Sequence, residues 1–235
     1  MPLLPIQFQI STLIFDMDGV ITDTMPYHFR AWRSVFASEG ITASHEDIYK
    51  REGQKSIDSL RELFIEKEKI YTDAIGKRLL YEKEKLFKRI LKRKFIPGSR
   101  MFIKRSVAQG FKLALVTGTS RDSAQKLLPK DLWDCFDVTV CGCDVQNGKP
   151  HPEPYLKAIA KLNVLPKDAV VFENAPFGIR SAKAAGLFCI ALETSLPAFY
   201  LTGADAIFSS FKAIESKIKF SPSKNNIPLF IIKRG

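Results

Sequence analysis

Five short, mostly apolar runs punctuate the chain: Ser11 to Phe15, Lys112 to Val116, Val138 to Val140, Ala169 to Phe172 and Phe188 to Leu192. Each is too short for a helix and lacks the polar alternation of a strand with one face in water. Each therefore reads as a strand of a parallel sheet covered on both faces. After Gly98 the runs alternate with segments of helical spacing, the pattern of strands joined by crossover helices. Between Thr24 and Phe95 the runs disappear, and apolar residues recur as on helices: Phe29, Trp32, Val35 and Phe36, then Leu79, Leu80, Phe87 and Leu91. The first strand is thus separated from the others by an all-helical block, most simply an insertion. The expected fold is α/β, a sheet core of residues 1–23 and 98–235 with helices on both faces and a helical cap of residues 24–97 over its cleft. The connections near Thr24 to Pro26 and Phe95 to Gly98 carry prolines and a glycine, which suit short, defined hinges. No internal repeat interrupts this plan. Past Ser216 the pattern weakens, and Ile227 to Ile232 fits either a late edge strand or an ordered tail.

The residues that end these runs carry the candidate chemistry, because open α/β sheets bind ligands beyond the carboxyl ends of their strands. Leu13-Ile14-Phe15 leads into Asp16-Met17-Asp18-Gly19. A turn at Gly19 lets both carboxylates face one bound group, which suits a hard cation and a phosphoryl group. Taken alone, the pair could equally be acidic turn residues solvating a strand end. Three later run ends repeat the theme. Val116 leads into Thr117-Gly118-Thr119-Ser120, whose hydroxyls and backbone N–H groups can hold phosphate oxygens or simply cap a helix through Thr119 or Ser120. Asn147-Gly148-Lys149-Pro150-His151-Pro152-Glu153-Pro154 braces Lys149 with prolines, making it an oriented point charge where most surface lysines are merely solvated. Pro154 is expected to open the next helix at its first position. Phe172 delivers Glu173 and Asn174, side-by-side oxygens able to ligate Mg²⁺, ahead of a helix over Ile179 to Ala185.

Composition narrows the class. The 235 residues are 46% hydrophobic and 26% charged, globular values. No apolar run spans a membrane, and Met1 to Ile10 lacks a basic start or cleavage signal, so a cytoplasmic protein is expected. Of four cysteines, Cys141 and Cys143 are too close for a zinc knuckle and lack histidine partners; reduced, mostly buried thiols are expected. The net charge of +11 admits a nucleic acid partner or anionic substrates. Many basic residues between Lys67 and Arg105 are interleaved with Glu66, Glu68, Glu82 and Glu84, as on solvated helix faces, so nucleic acid is not the expected partner.

The run ends, in this order and with a helical insertion after the first, resemble the haloacid dehalogenase superfamily, in its β-phosphoglucomutase-like phosphatase branch. The resemblance covers the chain from about Leu13 to Phe208. It is carried by DMDGVITDT with Tyr27-His28-Phe29-Arg30-Ala31-Trp32, by GKPHPEPY, and by FEN with the following glycine and alanines. It implies a Rossmann-like core, Asp16 as a nucleophile forming an aspartyl-phosphate, and Asp18 as the acid and base. It further implies Mg²⁺ on Asp16, the Asp18 carbonyl, Glu173 and Asn174, with Thr117, Gly118 and Lys149 stabilising the transferring group. Thr24, His28, Lys55, Lys83 and Thr119 would complete the substrate contacts, and the Lys149-Pro150 bond would be cis.

Two departures matter. The family usually has an aspartate where Asn174 stands, which removes one negative charge and is expected to weaken Mg²⁺ binding while activity is retained. An arginine that grips a second phosphate in the sugar-phosphate mutase is replaced by Lys55 and Ser56, and a lysine cannot reproduce the bidentate fork. The expected protein is therefore a Mg²⁺-dependent phosphomonoester hydrolase, monomer or weak dimer, acting on a small phosphorylated metabolite. The rivals are a β-phosphoglucomutase-type phosphomutase and a catalytically weak phosphate- or nucleic-acid-binding protein.

Overall fold

The computed structural model describes residues 6–222. In chain order they form β1 (Ile6–Ile10), β2 (Thr12–Phe15), α1 (Met25–Ala37), α2 (His45–Tyr49), α3 (Ser56–Glu66), α4 (Asp73–Ile90) and α5 (Ser99–Ala108). There follow β3 (Lys112–Val116), α6 (Arg121–Leu127), α7 (Lys130–Trp133), β4 (Val138–Val140), α8 (Glu153–Leu162), β5 (Ala169–Glu173) and α9 (Pro176–Ala184). Last come β6 (Phe188–Leu192), β7 (Ala206–Phe208), α10 (Phe211–Lys217) and β8 (Ile218–Pro222). Six strands build one all-parallel sheet in the order β4-β3-β2-β5-β6-β7. The order reverses between β2 and β5, the switch point at which such sheets open a crevice.

The strands read as continuous apolar runs because helices cover both faces. Leu13 and Phe15 of β2, Leu113 and Leu115 of β3, and Val170 and Phe172 of β5 face a layer that holds Phe102 and Ile103 of α5, Leu127 of α6 and Ile214 of α10. The alternate residues Ile14, Ala114, Val116 and Val171 face Tyr155, Ala158 and Leu162 of α8 and Ile179 of α9. Phe15 stacks on Phe172 at 4.8 Å, and Phe102 meets Phe172 edge-on at 5.3 Å. Truncating a buried phenylalanine of this kind costs about 3–5 kcal/mol, so these rings fix the two strands directly beneath the residues that follow them.

Several boundaries differ from the sequence reading. The first sheet strand starts at Thr12, because Ser11 bends the chain and its N–H donates to the Asp168 carbonyl at 2.9 Å. β1 and β8 form a separate parallel pair that no apolar run marks: Phe8 and Ile10 alternate with Gln7 and Gln9. β7 has three partly buried residues and also escapes the pattern. α9 begins at Pro176 rather than Ile179, and α8 begins at Glu153, placing Pro154 second in the helix rather than first. Both sites tolerate proline because the first turn has no intrahelical acceptor for its N–H groups. The segment Ile227 to Ile232 lies outside the described residues.

Helices α1 to α4 occupy the stretch between β2 and α5. Phe29, Trp32, Val35 and Phe36 of α1 share one cluster with Leu60, Leu63 and Phe64 of α3 and Leu79 of α4. Ser44 and Asp47 cap α2 reciprocally, each backbone N–H donating to the other's side chain at 3.0 Å. The two connections expected as hinges run side by side. Asp23 N–H donates to the Lys94 carbonyl and Ile96 N–H to the Ile21 carbonyl, both at 2.9 Å. Among the described residues no helix is long and apolar enough to cross a membrane.

Candidate active site

Strand register places the first group of residues. Phe15 is paired with Leu115 on one side and Phe172 on the other, so Asp16, Val116 and Glu173 form the next row, at the carboxyl end of the sheet. Lys149 enters this row from the loop between β4 and α8, through a cis Lys149-Pro150 bond. Its Nζ donates to Asp16 Oδ1 and Glu173 Oε1, both at 2.6 Å, and to the Val116 carbonyl at 3.3 Å. Burial would lower the lysine's pKa, but the charges of Asp16 and Glu173 outweigh it and hold the ammonium form firmly. Tyr155, 0% exposed on α8, donates a second hydrogen bond to Glu173 Oε1 at 2.7 Å.

Two oxygens at this end of the sheet are left over. Asp16 Oδ2 and Asn174 Oδ1 are buried without a hydrogen-bond partner. Burial pushes the Asp16 carboxyl up to about 8 against the charge of Lys149, with Glu173 and Asp18 adding to the rise. A cation beside Oδ2 is what such a carboxylate lacks. Asn174 cannot turn its NH₂ inward, because Nδ2 donates to Ser195 Oγ at 2.8 Å, which leaves the amide oxygen as the free end. These hard oxygen donors fit Mg²⁺. Among the described residues no group of three His, Cys, Asp or Glu side chains is poised for a metal. Glu173, expected among the ligands, is otherwise engaged: Oε1 accepts from Lys149 and Tyr155, and Oε2 from the N–H of Asn174 at 2.9 Å.

Asp18 lies in the turn that follows. Gly19 adopts φ +86°, and a Cβ there would fall 2.1 Å from Asn174 Nδ2, so both the turn and the close approach require glycine. Asp18 Oδ1 accepts from Thr24 Oγ1, and Oδ2 accepts from Thr119 Oγ1 at 3.0 Å. His28 Nε2 stands 3.6 Å from Oδ1, just beyond hydrogen-bond distance. Burial works to raise the Asp18 pKa, but His28, Thr24 and Thr119 outweigh it and hold the carboxyl below its usual value. Environment thus drives the two carboxyls in opposite directions. Burial and the nearby Lys83 ammonium lower the His28 pKa, and its ring stacks on Phe87 at 4.1 Å.

The remaining expected residues divide. Thr117 Oγ1 accepts from Thr119 N–H at 3.1 Å, shaping the loop, and Ser120 rather than Thr119 caps α6. Lys83 of α4 is buried within the helical insertion, donating to Glu84 at 2.9 Å and standing 5.2 and 5.0 Å from the ring centres of Trp32 and Phe87. Lys55 is turned away from the site: its Nζ donates to the carbonyls of Val145, at 3.0 Å, and Gln146. It bridges insertion and sheet core rather than meeting a ligand. Beside it the two halves touch backbone to backbone. A Cβ on Gly118 would sit 2.9 Å from the Gly53 carbonyl, and one on Gly53 would sit 2.6 Å from Lys149 Cδ. Flanking this seam is a cavity of about 480 Å³, lined by His28, Trp32, Glu52, Lys83, Phe87 and Thr119 among others. Tyr155 and Ser195 were not singled out from the sequence. Tyr155 closes the GKPHPEPY motif, whereas nothing in the sequence marks Ser195.

Residues 10–186 match the family description "haloacid dehalogenase-like hydrolase". This chain belongs to the haloacid dehalogenase-like hydrolases. Among hydrolases of this family it is 38% identical, over 76% of its length and 82% of the relative's, to a phosphorylated carbohydrates phosphatase of Thermotoga maritima. It is 32% identical, over 74% of its length and 92% of the relative's, to the fructose-1-phosphate phosphatase YqaB of Escherichia coli. A β-phosphoglucomutase structure from Clostridium difficile superposes with a TM-score of 0.76 at 26% identity, covering 89% of this chain and 97% of that one. The haloacid dehalogenase-like fold expected from the run ends is thus the fold found.

Proposed function

We propose that this hydrolase is a Mg²⁺-dependent phosphatase of small phosphorylated metabolites, with sugar phosphates foremost, working through an aspartyl-phosphate on Asp16. One observation carries the reading: the buried Asp16–Lys149–Glu173 cluster, whose Asp16 keeps one unpartnered oxygen, as does Asn174, the residue that follows Glu173. The names of the Thermotoga and Escherichia relatives support the substrate class.

Asp16 Oδ2, Asn174 Oδ1 and the Asp18 carbonyl would hold the metal. Mg²⁺, when bound, supplies charge neutralisation between the attacking carboxylate and the phosphoryl oxygens. Asp16 attacks phosphorus; the bond to the ester oxygen breaks, and Asp18 gives that oxygen a proton. Asp18 then takes a proton from water, whose oxygen attacks phosphorus and releases phosphate and the Asp16 carboxylate. Lys149 fixes the orientation of Asp16 and offsets charge in the phosphoryl group. The Gly118 backbone and Thr119 line its approach. Thr24, Thr119 and His28 hold Asp18 in place for both proton steps.

Asp16→Asn removes the nucleophile while keeping the side chain's shape. Phosphate release from a panel of sugar phosphates, with Mg²⁺ and with chelator, is expected to fall at least about a thousandfold in the variant. Release at the parent rate would overturn the assignment.

A further inference from the structure

The net charge of this chain is not spread evenly along it. Between Glu84 and Asp122 the chain carries eleven lysines and arginines and no acidic residue, so this one stretch holds the whole excess of +11. Five of the eleven form ion pairs with Asp23, Asp131, Asp144 or Glu215, and Arg93 and Lys112 donate to backbone carbonyls. Lys85, Lys88, Arg89 and Lys92 remain. All four are exposed, and none enters an ion pair among the described residues. Lys85, Lys88 and Arg89 share a face of α4 at spacings of three and four, and Lys92 follows just past the helix end at Ile90.

This stripe borders the mouth of the cavity beside the seam. Lys88 lines that cavity, as do Ser120 and Ser123. Arg93, next after Lys92, donates to the Lys126 carbonyl at 2.6 Å, which ties this end of the insertion to α6, the helix that opens directly after Thr117 to Ser120. Deeper in, Lys83 is paired with Glu84, and Arg51 with Glu62 and Glu66. Lys55 keeps its charge but turns its ammonium onto two core carbonyls, so it adds to the field from the seam. Asp122, which also lines the cavity, lies within the field of Lys88 but pairs with Lys126 at 2.7 Å.

Resting on the phosphatase reading above, we infer that Lys85, Lys88, Arg89 and Lys92 form a capture surface, which draws phosphate esters to the cavity mouth and draws those with a second anionic group more strongly. An exposed cluster of one sign raises the local concentration of oppositely charged ligands at a cleft, and the attraction grows with the charge of the ligand. Such attraction acts over about 10 Å at an ionic strength of about 0.1 M and fades as salt rises. None of the four shares a hydrogen bond or ion pair with Asp16, Asp18 or Glu173. The effect therefore falls on capture, read in kcat/KM, and not on the chemical step.

The stripe can be neutralised without touching the interior. Phosphate release from glycerol phosphate and from phosphoglycerate, which carries a carboxylate at its free end, is compared at saturating Mg²⁺ between the parent and a variant combining Lys85→Gln, Lys88→Gln, Arg89→Gln and Lys92→Gln. At an ionic strength of about 0.02 M the variant should lose at least about fivefold in kcat/KM on glycerol phosphate and about tenfold on phosphoglycerate, with kcat moving less than about twofold. At about 0.5 M the two proteins should agree within about twofold on both compounds. Equal kcat/KM at low salt, a loss that persists at high salt, or a loss no greater for phosphoglycerate would overturn the inference. So would a variant that unfolds at lower denaturant while its KM stays put, since the four cations would then serve only the end of α4. If the parent releases phosphate from neither compound nor from the sugar phosphate panel, the phosphatase reading fails instead. Calorimetric binding of phosphoglycerate to parent and variant at the two ionic strengths then decides the stripe separately: weaker binding by the variant at low salt alone supports it, and equal binding overturns it.

Discussion

On the sheet side of the cleft, Asp16, Lys149 and Glu173 lie on rows set by strand pairing, and none is more than 2% exposed. On the helical side, Arg51, Lys55 and Lys83 are long side chains tied off against Glu66, core carbonyls and Glu84. The sheet side fixes atoms by backbone geometry and so suits a reaction that tolerates little displacement. The helical side fixes charge balance through side chains that substitution can exchange without moving the backbone, which suits the choice of substrate.

The contrast is broken most directly at Lys149. Lys149→Met leaves Asp16 and Glu173 as buried carboxylates without a cation. It is expected to cost about 3–5 kcal/mol of stability in denaturant unfolding, and turnover should fall about a hundredfold or more. A variant that unfolds at the parent's denaturant concentration would mean that this cluster is not the rigid element described. A smaller effect is expected one shell out. Ser195→Ala frees the Asn174 amide to rotate and should weaken Mg²⁺ binding about tenfold in calorimetry. Asn174→Asp restores a charge and should tighten binding by a similar factor, about tenfold. Equal affinities in all three proteins would sink the idea that Ser195 orients a ligand. The smallest change belongs to the helical side. Lys55→Met removes an interaction worth about 1 kcal/mol, so kcat should move less than about threefold. Amide hydrogen exchange around Val145 and Gln146 should nonetheless quicken, which separates a bridging lysine from a substrate-binding one.

The same contrast explains what could be read from the sequence. β2, β3, β5 and β6 were legible because both faces are buried, and Asp16, Thr117 and Glu173 were legible because they end such strands. β1 was not, since its partner β8 lies at the far end of the described chain and neither is a continuous apolar run. Residue types were legible where side-chain direction was not. Lys55 has the charge to meet a phosphate yet reaches the Val145 and Gln146 carbonyls, and Glu173 has the oxygens of a metal ligand yet spends them on Lys149, Tyr155 and its neighbour's N–H. Ser195 acts only through Asn174, a relation set by folding and invisible in a linear string.

Gly53 and Gly118 meet with no side chain between them. At that point the insertion rests on the sheet core through main chain alone, so side chains elsewhere around the cavity can be exchanged without altering the spacing there. One methyl group on Gly118 would press on the Gly53 carbonyl and force the two apart.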